Sequence, residues 1–130
     1  MNLRMLLKFQ LVWVVLGLGY NGVSVWRIES GGVALSPTEP FSGAIFVGIC
    51  GLIVFAGLSK TKRLYRFSAP CLALLLSYSG VGLHIINILA DASLTGYASF
   101  TAWLLAVLIN AYGVITLSLG SWLAWRSSSV

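Results

Sequence analysis

Long apolar stretches separated by short polar segments dominate the pattern of this sequence. Crossing the hydrocarbon core of a bilayer takes about 20 mostly apolar residues in a helix. Four stretches are long enough, and we predict membrane-spanning helices at residues 5–26, 41–59, 67–90 and 98–125. Short connectors make consecutive helices pack as antiparallel neighbours. The predicted fold class is therefore all-α, an integral membrane antiparallel four-transmembrane-helix bundle, with residues 1–130 forming a single membrane domain.

The overall composition agrees with a membrane location. Of the 130 residues, 58% are hydrophobic and only 8% are charged, and the mean hydropathy is +0.95. Soluble domains have about 25% charged residues. So few charges cannot cover the surface of a soluble domain, which excludes the soluble protein classes.

The charged residues predict the orientation of the bundle, because short loops rich in Lys and Arg stay in the cytoplasm. Apart from Arg27, the basic residues fall on one side: Arg4, Lys8, Lys60, Lys62, Arg63, Arg66 and Arg126. The acids fall on the other side: Glu29, Glu39 and Asp91. We predict cytoplasmic termini and insertion into a bacterial inner (plasma) membrane. A cleaved signal peptide is the alternative for the first span, but no A-x-A-like site follows it.

The basic loop between the second and third spans has two interpretations. Its cations are Lys60, Lys62, Arg63 and Arg66. They are favoured as a topology signal, and the alternative is that they bind anionic lipid headgroups, which attract such clusters by about 1 kcal/mol per charge. The lipid bilayer is thus the first expected partner.

The segment "GLGYNG" at residues 17–22 fits the glycine fingerprint G-x-G-x-x-G of dinucleotide-binding proteins. That fingerprint works only between a strand and the start of a helix. Here it lies inside one continuous apolar stretch, and a bare phosphate loop has no place in hydrocarbon. We therefore expect neither a nucleotide nor a nucleic acid as a partner.

Small residues at helical spacing indicate where neighbouring backbones approach closely. The candidate packing positions are Gly17, Ala44, Gly48, Ser77, Gly80, Thr116, Gly120 and Ala124. Pro70 is expected in the first turn of the third span, which leaves every span without an interior proline. Tyr65 and Tyr97 are expected at the level of the lipid headgroups, whereas Trp13 suits either a packing or a lipid-facing position.

Polar residues form a seam along the third predicted span. Its members follow one another at spacings of three and four: Ala73, Ser77, Gly80, His84, Asn87 and Asp91. An ionisable residue inside a span is costly and is therefore a functional candidate. We take His84, Asn87 and Asp91, together with Asn21 and Asn110, as the candidate polar site. A structural role for His84 is favoured over a proton relay or a ligand contact.

Few residues of the sequence could form a metal site, hold a cofactor or catalyse a reaction. The chain has one histidine, and a single histidine supplies only one axial ligand for haem. We expect no metal site and no cofactor. No nucleophile lies near a base and no carboxylate pair shares a segment, so we do not expect an enzyme.

Three functions remain after these exclusions. The favoured one is a non-enzymatic component of a membrane assembly, either a homo-oligomer or an accessory subunit beside other membrane proteins. The second is a transporter of a small solute or lipid that uses the polar group of His84, Asn87 and Asp91. The third is a haem- or quinone-associated membrane subunit.

Overall fold

Four long helices make up the computed structural model, which describes residues 2–59 and 62–126. Helix α1 covers Leu3–Glu29 and α2 covers Pro40–Leu58. The third span, Lys62–Ala90, consists of α3 (Lys62–Leu76), a π-helical turn (Ser77–Gly82) and α4 (Leu83–Ala90). Helix α5 covers Phe100–Arg126. The described residues contain no strand, and each of the four helical segments is long and apolar enough to cross a membrane. The predicted all-α four-helix class is confirmed.

The helices begin where the sequence offers side-chain acceptors for free backbone N–H groups. The Asn2 side chain accepts a hydrogen bond from the Met5 amide at 2.9 Å. Glu39 caps α2 by accepting hydrogen bonds from the amides of Phe41 and Ser42, at 2.9 and 2.7 Å. Pro40 follows this cap, where its missing N–H is harmless. These bonds lower the pKa of Glu39 below its usual value.

The third span differs from the regular helix that its sequence predicts. It begins at Lys62, so Pro70 lies inside α3 and not in its first turn. The expectation that no span contains an interior proline is therefore wrong. Farther along, the segment "SYSGVG" forms the π turn. Ser77 and Ser79 donate their hydroxyls to the carbonyls of Ala73 and Leu75, both at 2.7 Å, and such bonds compete with regular helix geometry.

The bundle is a ring of neighbouring helices. Helix α1 packs against α2 and α5, α2 also packs against α3, and α5 packs along the whole third span. We call the end that carries the segments 30–39 and 91–99 the loop end, and the opposite end the termini end. The largest fully buried side chains include Trp13, Val54, Tyr65 and Leu117. Many large apolar side chains point outward, such as Leu74 and Leu89 at 74% and 80% exposure, as expected for helices surrounded by lipid.

Close contacts between helices occur at several of the candidate packing positions. Gly17, Gly80, Thr116, Gly120 and Ala124 are buried. A Cβ at Gly17 would lie 3.2 Å from Val47 of α2, so the glycine lets α1 approach α2. Ala44 and Ser77 are half-buried.

Gly48 does not fit the packing prediction. A Cβ built there would meet nothing within 4 Å. The spacing from Ala44 to Gly48 indicates one face of α2, but no helix of the described residues lies close against Gly48.

Two aromatic residues are enclosed by the bundle. Tyr65, in the first turn of α3, is fully buried between the helices, and its level relative to the headgroups stays a prediction. Trp13 is also fully buried, which makes it a packing residue.

The charged residues divide between the two ends as the sequence indicates. Arg4, Lys62, Arg63, Arg66 and Arg126 lie near the termini end, whereas Glu39 and Asp91 lie at the loop end. Lys60 lies outside the described residues. The arrangement is consistent with an integral membrane protein; the side that each end faces stays a prediction.

Candidate ligand-binding cavity

A cavity of about 210 Å³ lies between the helices in the half of the bundle nearest the loop end. Every span contributes to its wall. The lining residues used below are Tyr20, Asn21, Ser36, Thr38, Ser42, Phe46, Val47, Leu76, Ser79, Gly80, His84, Ala106 and Asn110. A space of this size holds several water molecules, each of which occupies about 30 Å³ in the liquid.

Two asparagines supply polar groups from opposite walls. The Asn21 side-chain N–H donates to the Gly17 carbonyl at 2.9 Å. Because a carbonyl can only accept, this bond fixes the amide orientation and leaves the Asn21 Oδ1 as an acceptor. Among the described residues, neither this oxygen nor the Asn110 amide has a hydrogen-bond partner. The cavity therefore contains unused hydrogen-bonding capacity.

His84 brings a third polar group to the wall. Its Nδ1 lies 2.6 Å from the Tyr97 hydroxyl, and the Asn87 side chain donates to the same hydroxyl at 3.5 Å. In a neutral imidazole one ring nitrogen donates and the other accepts. Nδ1 is engaged with Tyr97, which leaves Nε2 as the second hydrogen-bonding group of the ring. The Trp103 indole donates to the His84 carbonyl at 2.9 Å and so links α4 to α5.

The structure unites only part of the predicted polar site. Asn21, His84 and Asn110 line the cavity. Asn87 and Asp91 do not line it, and both are exposed. Helix α4 ends at Ala90, so Asn87 lies in its last turn and Asp91 follows it, at the exposed loop end.

Asp91 instead organises the loop that follows. Its carboxylate accepts a hydrogen bond from the Ser93 amide at 3.0 Å. Hydrogen bonds from Ser93 and Thr95 lower the pKa of Asp91 to about 2. The residue therefore stabilises the 91–99 segment as an anion.

The two loops cover the cavity at the loop end. The Ala98 amide donates to the Leu35 carbonyl at 3.3 Å, and a Cβ on Gly96 would lie 3.2 Å from Pro37. Ser36 is 5% exposed and lines the cavity on the side of the loop end. We call these contacts, from Leu35 to Pro37 and from Gly96 to Ala98, the roof.

A packed layer separates the cavity from the termini end. Trp13 fills this layer against Gly113 and Leu76. Its Nε1 is buried and has no hydrogen-bond partner, and a substituent on Gly113 would overlap the indole. We call this layer the floor.

Below the floor lies a buried polar cluster that the sequence does not reveal. The Gln10 side-chain N–H donates to the Tyr65 hydroxyl at 2.8 Å and to the Thr116 carbonyl at 2.6 Å. The Tyr65 hydroxyl donates back to the Gln10 carbonyl oxygen at 3.1 Å. The cluster joins α1, α3 and α5. Its only sequence signal is the position of Gln10, seven residues before Gly17 on the polar face of α1.

The basic residues of the termini end pair with aromatic rings. The Arg66 guanidinium lies 5.3 Å from the Trp125 ring centre and that of Arg126 lies 5.0 Å from the Trp122 ring centre. Such cation–π contacts suit the boundary between lipid and water.

The described residues contain no group of three or more His, Cys, Asp or Glu side chains that could hold a metal ion.

No protein-family model, curated protein or solved structure matches this chain.

Proposed function

We propose that this protein is a non-enzymatic membrane carrier that binds a small molecule in the cavity near the loop end. The observation that carries the proposal is the set of unpaired polar groups on Asn21, His84 and Asn110 around a space of about 210 Å³. Unpaired polar groups inside a membrane bundle are costly. A ligand or water that pairs with them removes that cost.

Carriage across the membrane is supported by the different closure of the two ends. A fully buried Trp13 separates the cavity from the termini end, whereas the lining residues Ser42 and Ser79, in the half of the bundle nearest the loop end, are exposed. A binding site that is accessible from one side and closed toward the other is one state of an alternating-access cycle. The π turn beside the cavity is a feature often found at functional sites.

The proposal can be tested without knowing the ligand. A thiol is introduced by Asn110→Cys in a background in which the free cysteines Cys50 and Cys71 are replaced by alanine. A membrane-impermeant maleimide is then added to right-side-out and to inside-out vesicles. A carrier exposes its site to each side in turn, so the introduced thiol is expected to react in both preparations.

Two exposed control positions define the sides. Ser93→Cys lies at the loop end and Arg63→Cys at the termini end, and each is expected to react in only one preparation, opposite to the other. Reaction of the Asn110→Cys thiol in a single preparation would show a one-sided binding protein and contradict the carrier. Reaction in neither would contradict an accessible cavity.

Self-association is a second candidate function, favoured by open space at two glycines of α1. Gly19 and Gly22 have nothing within 4 Å of a built Cβ, and they are exposed beside Val15 and Val23, which are 68% and 48% exposed. Exposed small and branched residues allow close approach by another membrane helix. A second copy of the chain, packed through this face, fits the role of a component in a membrane assembly.

The mass of the purified protein in mild detergent tests this second candidate. A chain of 13.9 kDa is expected to run as an oligomer, and Gly19→Leu with Gly22→Leu is expected to reduce it to the monomer. Gly48→Leu is the matched control, because Gly48 also has open space but lies on α2. A monomeric unmodified protein would exclude self-association through α1.

A further inference from the structure

The ring of helices is open on one side near the loop end. Helix α2 packs against α3, but within the described residues it makes no close backbone approach to the π turn or to α4. Ser42 on α2 and Ser79 on the π turn line the cavity from the two sides of this gap, and both are exposed. We call the gap between α2 and the π turn with α4 the lateral opening.

The lateral opening faces the region that lipid occupies. The roof covers the cavity from the loop end, whereas large apolar side chains on the helices that form the gap are exposed. Ile45 of α2 is 64% exposed, Tyr78 of the π turn 67% and Ile86 of α4 52%. Exposed apolar side chains on membrane-spanning helices contact acyl chains. A molecule that enters through the gap therefore comes from the membrane.

The polar groups of the cavity define the head that such a molecule needs. Asn21 offers an acceptor, His84 offers the second nitrogen of its ring, and Asn110 offers both a donor and an acceptor. Among the described lining residues there is no Asp, Glu, Lys or Arg. An ionic head would be buried without a counter-charge, which is unfavourable, whereas hydroxyl or amide groups would pair with all three side chains.

The remaining wall suits the start of an alkyl chain. Phe46 and Val47 of α2 and Leu76 of α3 line the cavity next to the polar groups. Binding sites of this kind combine apolar walls with a few polar groups that fix orientation. A tail can leave the cavity along these residues through the lateral opening.

We infer that the cavity binds the head of an uncharged amphiphile, such as an acylated polyol or a fatty amide, which enters from the membrane through the lateral opening. The inference rests on the proposed function, because it names the ligand class of the same cavity. It accounts together for the roof, the gap, the absence of charge from the described lining and the free hydrogen-bonding groups of Asn21, His84 and Asn110.

Photo-crosslinking in nanodiscs tests the inference. The probe is a monoacylglycerol with a diazirine in its acyl chain, and the labelled peptides are identified by mass spectrometry. We expect labelling of the α2 and π-turn peptides at the gap. An excess of unlabelled monoacylglycerol should reduce this labelling at least fivefold, whereas free glycerol and the fatty acid of the same chain length should leave it unchanged.

The results with the competitors distinguish a failure of the inference from a failure of the proposed function. Equal competition by glycerol would show a site for small water-soluble molecules. That result would contradict an amphiphile as the ligand but would leave the proposed carrier function intact. Equal competition by the fatty acid would overturn the requirement for an uncharged head. Labelling that no competitor changes would overturn the inference, and the vesicle experiment would then decide the carrier by itself.

Two variants test where the amphiphile enters the cavity and where its head binds. Ser79→Phe places a large ring at the lateral opening and should reduce competable labelling several-fold. Ser118→Phe, at an exposed position of α5, is the matched control and should not. Asn110→Leu should also reduce competable labelling, because it removes the donor and acceptor from the wall. If Ser79→Phe and Asn110→Leu both label and compete like the unmodified protein, the assignment is wrong.

Discussion

The buried cluster below the floor makes Gly120 the most sensitive small residue that we can identify. A Cβ at this position would overlap the Tyr65 hydroxyl and lie 2.6 Å from Nε2 of Gln10. Gln10 and Tyr65 are fully buried, so neither side chain can move aside without disturbing its neighbours. We therefore predict that Gly120→Ala destabilises the bundle.

The expected loss has two parts. Overpacking a filled core costs about 1–3 kcal/mol. Displacing the Tyr65 hydroxyl also weakens its hydrogen bonds with Gln10, and interhelical hydrogen bonds in membranes contribute about 0.6 kcal/mol on average and about 1.7 at most. Together these terms predict a decrease of about 2–4 kcal/mol in the free energy of unfolding.

The assay is equilibrium unfolding in mixed micelles with increasing denaturing detergent, followed by tryptophan fluorescence. Gly48→Ala is the matched control, because its Cβ would meet nothing within 4 Å. It should raise stability by up to about 1 kcal/mol, since alanine is the better helix former. Tyr65→Phe removes the oxygen that the new methyl group meets. It should therefore recover about 1–2 kcal/mol in the Gly120→Ala background, since contacting residues couple by such amounts.

Two results would refute this reasoning. One is a Gly120→Ala protein as stable as Gly48→Ala, which would mean that α5 is not packed against Gln10 and Tyr65. The other is additivity of Gly120→Ala and Tyr65→Phe, which would mean that the hydroxyl is not what the methyl group displaces.

Three further predictions concern other parts of the chain. Trp13→Phe should cost less than about 1 kcal/mol in the same assay, because it removes a buried donor without a partner, whereas Trp13→Ala should cost about 3–5 kcal/mol. Pro70→Ala should raise stability, by up to about 3 kcal/mol, because it restores a helical hydrogen bond to the Arg66 carbonyl; a decrease would contradict this account of α3. Asp91 has a folded-state pKa of about 2, below its unfolded value, so its contribution is fully present above about pH 4 and is lost as the pH falls toward 2. Asp91→Asn should remove this part of the acid dependence measured by thermal unfolding, and an unchanged profile would exclude Asp91 as its source.

The cavity illustrates where inference from sequence stops. Spacing along one helix groups His84 with Asn87 and Asp91, since all three recur at intervals of three and four. In the structure His84 lines the cavity with Asn21 of α1 and Asn110 of α5, whereas Asn87 and Asp91 are exposed near the end of α4. A hydroxyl from the 91–99 loop, on Tyr97, completes the surroundings of His84. The grouping of His84 with Asn21 and Asn110 was predicted from their polarity inside the spans. Helical periodicity contains no information about contacts between different segments, so the contact of His84 with Tyr97 and the position of Asn87 and Asp91 outside the cavity could not be predicted.

The fold class could be predicted from the sequence alone, because the length and hydrophobicity of its apolar stretches leave few ways to satisfy the backbone except helices that can cross a membrane. The sequence also determined the separation of charges between the ends, which follows from chain order and helix count alone. The sequence did not show which polar groups meet, at which glycines another helix packs closely, or which side of the ring stays open. Those features depend on how side chains from distant segments fit together in space, and that fit is not a property of any single stretch of the chain.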